Sequence, residues 1–212
     1  MLARSLTTLA HPLLSLPPLA PSSRPQYLAV IAGVPQETTV VTERIGRHPT
    51  DRVRMAVVQA PRGDPPDAGS AGVARGGRAS LSVVHRLATD GKLSLVAVRI
   101  GTGRTHQIRV HLEHLRCPVL GDPLYGDASR NKLEAKRATR PLLHAHLLQL
   151  AHPITDAPLR VCAPPPEDIS AVAATLAGCE PEQLATWLQP KLDAALESNA
   201  EEFDELVAKY VV

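Results

Sequence analysis

Aromatic side chains are scarce in these 212 residues, where only Tyr27, Tyr125, Trp187, Phe203 and Tyr210 carry a ring of this kind. A surface that stacks several nucleic-acid bases needs a group of aromatic residues that act together. The five are spread over almost the whole sequence. We therefore do not expect a stacking platform for several bases.

Cysteines and long apolar runs are also few. Cys117, Cys162 and Cys179 are too far apart for a CxxC pair, which argues against a disulfide framework and a structural zinc site. The leucine-rich start is broken by His11 and several prolines, so no apolar run reaches the roughly 20 residues of a membrane span. We expect a reducing compartment and neither a metal nor a membrane as partner.

Charge is distributed unevenly along the chain. Residues 41–140 contain 18 Lys and Arg against 9 Asp and Glu, whereas residues 167–212 contain 2 against 10. A basic region of this kind is typical of proteins that bind a polyanion. Two solvated faces that partly neutralise each other are the alternative, and charge alone does not separate the two.

Acidic residues are absent before Glu37, and the first 36 residues hold two arginines. This composition is typical of an organelle transit peptide, although several prolines interrupt any amphipathic helix there. A disordered extension and a misassigned start of translation remain alternatives. We predict a leader over residues 1–24 and a mitochondrial or plastid location, with the cytoplasm as the alternative.

Short apolar runs predict the strands. Residues 27–31 and 53–59 are two such runs, and residues 60–79 form a loop rich in Gly and Pro that we expect to be mobile. Residues 81–87 and 93–100 flank the turn sequence Asp90-Gly91, as expected of a β-hairpin.

Helices are predicted after these strands. Residues 106–115 place apolar side chains at helical spacing, with Thr105 as the capping residue. Residues 167–212 carry two amphipathic segments and most of the acidic charge. The sequence therefore predicts an α+β fold with a mixed, mainly antiparallel sheet, flanking helices and a C-terminal helical tail.

Most common catalytic motifs are missing from the sequence. It has no GxGxxG, no GxxxxGK[ST] and no GxSxG pattern, and Glu113 precedes His114 without the HExxH frame of a hydrolytic zinc helix. We interpret the histidines mainly as packing or hydrogen-bonding groups. The segment GRTHQIR is the exception, because Arg104 and Arg109 can point into one pocket, where each guanidinium would bind a carboxylate or phosphate.

Six segments resemble the RluA family of RNA pseudouridine synthases in the order of that family. They are YLAVIAGVP (27–35), IGRHPTDRVRMAV (45–57), TGRTHQIRVH (102–111), PVLGDPLYG (118–126), LLHAHLL (142–148) and AHPIT (151–155). The resemblance covers about residues 25–168 and implies part of the family's catalytic domain. Residues 169–212 then form the acidic helical tail.

The resemblance implies three site residues and a reaction without a cofactor. In the family, an aspartate in an HRLDxxTSG motif attacks the target uridine, the glycosidic bond breaks, and C5 of the turned uracil is joined to the ribose. Tyr27 would lie against the base, Ile108 would line the uracil pocket, and Arg109 would hold the aspartate. Such a carboxylate must stay ionised in a semi-buried pocket, and a bidentate arginine lowers its pKa there.

The aspartate motif itself does not occur in this sequence. Residues 85–91 (HRLATDG) begin in the same way, but Ala88 stands where the aspartate belongs, and the family order makes this stretch a strand. We interpret it as a chance similarity in which Asp90 is a poor substitute. A catalytically silent relative that binds RNA or the ribosome is therefore the alternative to an active isomerase.

The expected substrate is a transfer or ribosomal RNA. Phosphate contacts supply most of the affinity that does not depend on RNA sequence. The candidates for RNA contact are Arg47, Arg52, Arg54, Arg104, His106, Gln107, Arg130 and Lys132, of which Arg47 and Arg52 are preferred. A protein partner that binds the acidic helices, with Trp187 and Phe203 as anchors, is a further hypothesis. Packing of both side chains on the chain's own core is the preferred alternative.

Overall fold

The computed structural model describes residues 24–59, 76–152, 154–198 and 200–211. The predicted leader, apart from Arg24, and most of the predicted loop over 60–79 lie outside the described residues. The elements are β1 (Arg24–Ala32), β2 (Thr38–Val41), β3 (Ile45–Arg47), β4 (Met55–Val57), β5 (Ser82–Thr89), β6 (Leu93–Ile100), α1 (Gln107–His114), α2 (Ala128–Leu133), β7 (Leu143–Ala151), β8 (Pro158–Cys162), α3 (Glu167–Ala177), α4 (Leu184–Glu197) and α5 (Ala200–Val211).

The described strands form one large sheet and one hairpin. The sheet has six strands in the order β2-β5-β6-β1-β7-β8, and β3 pairs with β4 in the separate hairpin. All pairings between the described strands are antiparallel, and helices pack against the sheet. The predicted α+β class with a mainly antiparallel sheet and flanking helices is confirmed.

Each central strand buries both of its faces, because apolar residues occupy consecutive positions rather than alternate ones. On one face, Leu28 and Leu95 pack with Ile169 of α3 and Leu192 of α4. On the other face, Val96 and similar side chains pack against α1. We call these the α3–α4 face and the α1 face.

The C-terminal helices complete the core of the α3–α4 face. Arg99 of β6 is 2% exposed and donates a hydrogen bond to the Leu196 carbonyl at the end of α4, over 2.8 Å. Gln26 of β1 donates to the Leu192 carbonyl over 3.0 Å. These bonds satisfy buried N–H donors that would otherwise destabilise the fold, whereas Oε1 of Gln26 has no hydrogen-bond partner among the described residues. The domain boundary between residues 168 and 169 stays a prediction.

The proposed anchor residues of the tail are used inside the chain. Phe203 of α5 is 4% exposed, packs against Leu81 and Val83, and has the Arg99 guanidinium over its ring at 4.1 Å. Trp187 of α4 is partly buried against the core. Phe203 thus packs on the chain's own core, and a protein partner for the acidic helices stays a prediction.

Two local expectations differ from the structure. The strand predicted over 53–59 is limited to Met55–Val57. The predicted cap is wrong, because His106 occupies the N-cap position of α1 with a φ of 57° and no side chain makes a capping bond. Among the helices of the described residues, none is both long and apolar enough to cross a bilayer.

Candidate active site

Tyr27 and Ile108 belong to the same apolar cluster on the α1 face. Tyr27 lies near the start of β1 opposite Val98 of β6, and Ile108 lies on the first turn of α1. Burial raises the pKa of the Tyr27 hydroxyl above its ordinary value, so this group stays neutral at physiological pH. The two residues assigned to a base pocket are thus brought together from segments about 80 positions apart in the sequence.

A β-bulge lies beside Tyr27. Along β7, Gln26 pairs with Leu147 but the next residue, Tyr27, pairs with Ala145, so His146 is the extra residue. Bulges bend a strand and redirect its side chains, and they are frequent beside active sites. The irregularity therefore affects the orientation of Tyr27.

Arg109 forms a two-point ion pair with Asp122. Its Nε lies 2.6 Å from Oδ2 and its Nη2 lies 2.7 Å from Oδ1 of the fully buried Asp122. Oδ1 also accepts hydrogen bonds from the backbone N–H groups of Leu124 and Tyr125. This bidentate geometry is the strong form of a charged hydrogen bond and leaves Arg109 with one orientation.

The ion pair keeps both partners charged. Burial on its own would raise the pKa of Asp122, but the hydrogen bonds from Arg109 and the backbone outweigh burial and lower that pKa. The same hydrogen bond raises the pKa of Arg109. Because both Asp122 oxygens are occupied and the residue is fully buried, Asp122 anchors Arg109 and is not placed to attack a substrate.

Tyr125 links this ion pair to the β3–β4 hairpin. The guanidinium carbons of Arg109 and Arg54 lie 4.7 and 5.2 Å from the centre of its ring. Its hydroxyl accepts a hydrogen bond from the Met55 backbone N–H and lies 2.8 Å from Nδ1 of His106. Burial and the nearby Arg109 lower the pKa of His106, which is therefore neutral at pH 7.

Comparisons with known proteins point to one family. A sequence model described as RNA pseudouridylate synthase matches residues 22–114. The chain is 42% identical over 146 residues to an uncharacterised RNA pseudouridine synthase of Chloroflexus aurantiacus. It is 37% identical over 161 residues to ribosomal large subunit pseudouridine synthase D of Xanthomonas campestris pv. campestris.

This chain belongs to the RNA pseudouridine synthase family. The predicted membership of the RluA group is confirmed, since its relatives include ribosomal large subunit pseudouridine synthases D. The matched regions cover 69% and 71% of this chain but 40% and 43% of the Chloroflexus and Xanthomonas proteins. The chain therefore spans about two fifths of the length of these relatives.

Solved structures of pseudouridine synthase domains agree with the fold. The chain resembles human RNA pseudouridylate synthase domain containing 1 at a TM-score of 0.53 and 30% identity, over 68% of this chain and 55% of that one. For human RNA pseudouridylate synthase domain containing 4, the TM-score is 0.55 and the identity 26%, over 73% and 62% of the two chains.

Within this family member, Gln107 has a structural role. Its side chain is 3% exposed, and its Nε2 donates to the Leu81 carbonyl and the Ser82 hydroxyl. Its Oε1 accepts from the Thr102 hydroxyl and the Arg104 backbone N–H. This corrects the prediction that Gln107 contacts RNA, because its amide is already bonded inside the protein.

The basic residues predicted to bind RNA differ in solvent exposure and in ion pairing. Arg47, Arg52 and Lys132 are exposed, whereas Arg54 is partly buried and forms an ion pair with Glu113. Arg130, on α2, is one of the residues lining a cavity of about 520 Å³ that also contains Lys92 and Arg116, neither of which was predicted to bind RNA. RNA contact by the basic residues stays a prediction.

Asp90 lies at the opposite end of the sheet from Tyr27. Its carboxylate accepts hydrogen bonds from the backbone N–H groups of Lys92 and Leu93 in the β5–β6 turn, and these bonds lower its pKa. Leu93 of β6 pairs with Ala32 of β1, which lies five residues along the strand from Tyr27. At about 3.3 Å per residue this is about 16 Å, which is too far for Asp90 to act on a base beside Tyr27.

Asp122 and Tyr125 are the contacts that sequence reasoning missed. Both lie in the segment PVLGDPLYG, which contributes to the resemblance but received no role. The sequence does contain a signal for this contact. Arg109 needs an anionic partner, and Asp122 follows it by 13 positions in a loop rich in Gly and Pro.

Proposed function

We propose that this chain acts in the isomerisation of uridine to pseudouridine in ribosomal RNA and provides the base-contacting side of that active site. The observation that carries the proposal is that Tyr27 and Ile108 belong to one apolar cluster, while Arg109, the next residue of α1, is held in one orientation by Asp122. Ribosomal RNA is favoured because several relatives of this chain are named ribosomal large subunit pseudouridine synthases.

Each of the three residues has a physical role in this reaction. The Tyr27 ring lies against the uracil, Ile108 provides an apolar wall, and Arg109 provides positive charge for an attacking carboxylate. The C1′–N1 bond breaks, the uracil turns, and C5 bonds to C1′. The proton on C5 then leaves to solvent, and N1 takes up a proton in its place. The attacking carboxylate belongs to an HRLDxxTSG segment, which these 212 residues do not contain.

A chimaera tests the proposal. The part of the Xanthomonas relative that precedes its matched region would be joined to residue 25 of this chain, and ribosomal RNA labelled with tritium at C5 of uridine would be added. We expect tritium release from the chimaera, none from its Arg109→Ala variant, and full release from Lys191→Gln, an exposed residue of α4.

A catalytically silent protein that binds RNA is the second candidate, and the missing aspartate motif favours it. It predicts RNA binding that weakens with salt and no tritium release even from the chimaera. A folded chimaera that binds RNA but releases no tritium would overturn the proposed isomerisation and support this alternative.

We also propose import into a mitochondrion or plastid, supported by the absence of acidic residues before Glu37. Residues 1–36 fused to a fluorescent protein should direct it to an organelle. The same fusion with both arginines changed to glutamate should stay in the cytoplasm. Cytoplasmic fluorescence from the unchanged fusion would overturn this proposal.

A further inference from the structure

A small cavity beside the start of α1 is surrounded by arginines. It has a volume of about 220 Å³, and Arg47, Arg78 and Arg104 line it together with Thr105, three glycines and two apolar residues. No carboxylate is among the lining residues. Small-molecule sites usually have volumes of roughly 300–1,000 Å³, so this cavity suits one chemical group rather than a whole nucleoside.

The three guanidinium groups lack an anionic partner among the described residues, since every ion pair found there involves other side chains. Burial lowers the pKa of Arg104, and the neighbouring positive charge of Arg78 lowers it further. Like charges held together without a counter-ion are unfavourable, and an anion bound between them would remove that cost.

The backbone holds the cavity in a defined shape. Arg78 and Ile45 exchange two backbone hydrogen bonds of 2.8 and 2.9 Å, which attach the segment before β5 to β3. Gly77 has a φ of 62°, and a Cβ at this position would lie 2.3 Å from a methyl group of Val58. Only glycine allows this close approach of the two segments.

Arg104 is fixed from the other side of the cavity. Its Nε donates to the Ala79 carbonyl over 2.9 Å, whereas its two terminal nitrogens have no hydrogen-bond partner among the described residues. A guanidinium held in this way can donate to two oxygens of a tetrahedral anion. Preorganisation of this kind lowers the cost of binding.

We propose that Arg47, Arg78 and Arg104 together bind one phosphate of the RNA backbone. This inference rests on the proposed function for the identity of the RNA. Ile108 and Arg109 follow Arg104 on the same connection and the first turn of α1, so a phosphate held here fixes the position of the RNA strand next to the base pocket. Arg78 is thereby added to the residues that contact the substrate.

Arg78→Gln is the best test because this side chain is exposed and its loss does not disturb the fold. Binding of the full chain to a ribosomal RNA fragment would be measured by fluorescence anisotropy at several salt concentrations. We expect roughly tenfold weaker binding, the size of one charge-assisted contact, and a salt slope reduced by about one. Arg78→Lys should recover the slope and only part of the affinity.

Lys191→Gln is the matched control, because it removes the same charge from the opposite side of the molecule. We expect it to change neither affinity nor slope beyond a small factor. Equal effects of Arg78→Gln and Lys191→Gln would overturn the proposal, as would a wild-type chain that does not bind RNA. The readout is binding, so absence of tritium release from the chimaera would overturn the proposed function without affecting this test.

Inorganic phosphate distinguishes a site for RNA from a site for a free anion. It would be added at constant ionic strength, with thermal stability as the readout. Two results together would overturn the RNA assignment: phosphate no longer stabilises the Arg78→Gln variant, and the RNA affinity of this variant is unchanged. Competition between phosphate and RNA that is lost in Arg78→Gln would support it.

Discussion

The two faces of the six-stranded sheet differ in how they are built. The α3–α4 face is covered by apolar side chains of two helices, and its buried polar groups, Gln26 and Arg99, bond to carbonyls of α4. The α1 face is covered by one short helix and carries the Arg109–Asp122 ion pair and the Tyr125 contacts. One face supplies stability, and the other combines stability with the groups that we propose contact the substrate.

Asp122→Ala should cause the largest loss of folding stability, because it removes the ion pair of the α1 face. It leaves Arg109 partly buried without its counter-ion, and loss of one partner of a buried pair costs about 3–5 kcal/mol. Urea unfolding would measure this loss. The matched control, Asp127→Ala, removes the N-cap bond of α2 and should cost about 1 kcal/mol. Similar costs for the two variants would contradict the importance of the ion pair.

Leu192→Ala should weaken the α3–α4 face alone. Leu192 is 1% exposed, and truncation of a buried leucine costs about 2–5 kcal/mol. RNA affinity of the folded fraction should stay within about twofold of the wild type, since the residue is on the face away from the proposed phosphate site. Anisotropy below the unfolding temperature checks this. A large loss of affinity would show that the two faces are not independent.

Acid should destabilise both faces through one buried histidine on each. Burial lowers the pKa of His111 on the α1 face, and of His85 on the α3–α4 face, to about 4. The unfolded chain binds these protons near pH 6.5, so stability falls as the pH is lowered from about 6.5 to about 4. At pH 5 each histidine should cost about 2 kcal/mol.

The measurement is urea unfolding between pH 7.5 and pH 4.5. His111→Gln and His85→Gln should each reduce the dependence on pH, and the double variant should remove most of it. An unchanged pH dependence in either single variant would mean that its histidine has the same pKa in the folded and the unfolded chain.

Local patterns in the sequence were sufficient for the central elements. The turn at Asp90-Gly91 and the apolar runs beside it predict the β5–β6 hairpin, and the helical spacing after Thr105 predicts α1 within one residue at each end. These elements depend on backbone preferences and on side chains that are neighbours in the chain. Such interactions can be predicted from the sequence without knowledge of the fold.

The errors occurred where distant segments compete with local preference. Thr105 does not cap α1. Gln107, the first residue of the helix, instead bonds to Thr102, to the Arg104 backbone and to Ser82 of β5. The short strand β3 was not predicted, since three residues carry little periodicity and its pairing with β4 and Arg78 stabilises it. A single sequence contains no measure of these tertiary contacts.

The sequence by itself determined the family and the kinds of side chain in the candidate site, because collinear motifs such as residues 102–111 are read directly. Only the tertiary structure decided how these side chains are paired. Arg109 forms an ion pair with Asp122, and Arg47, Arg78 and Arg104 line one cavity, although these residues lie on segments that are separated in the chain. Coulomb and hydrogen-bond energies depend on distance in space, which the order of residues does not give.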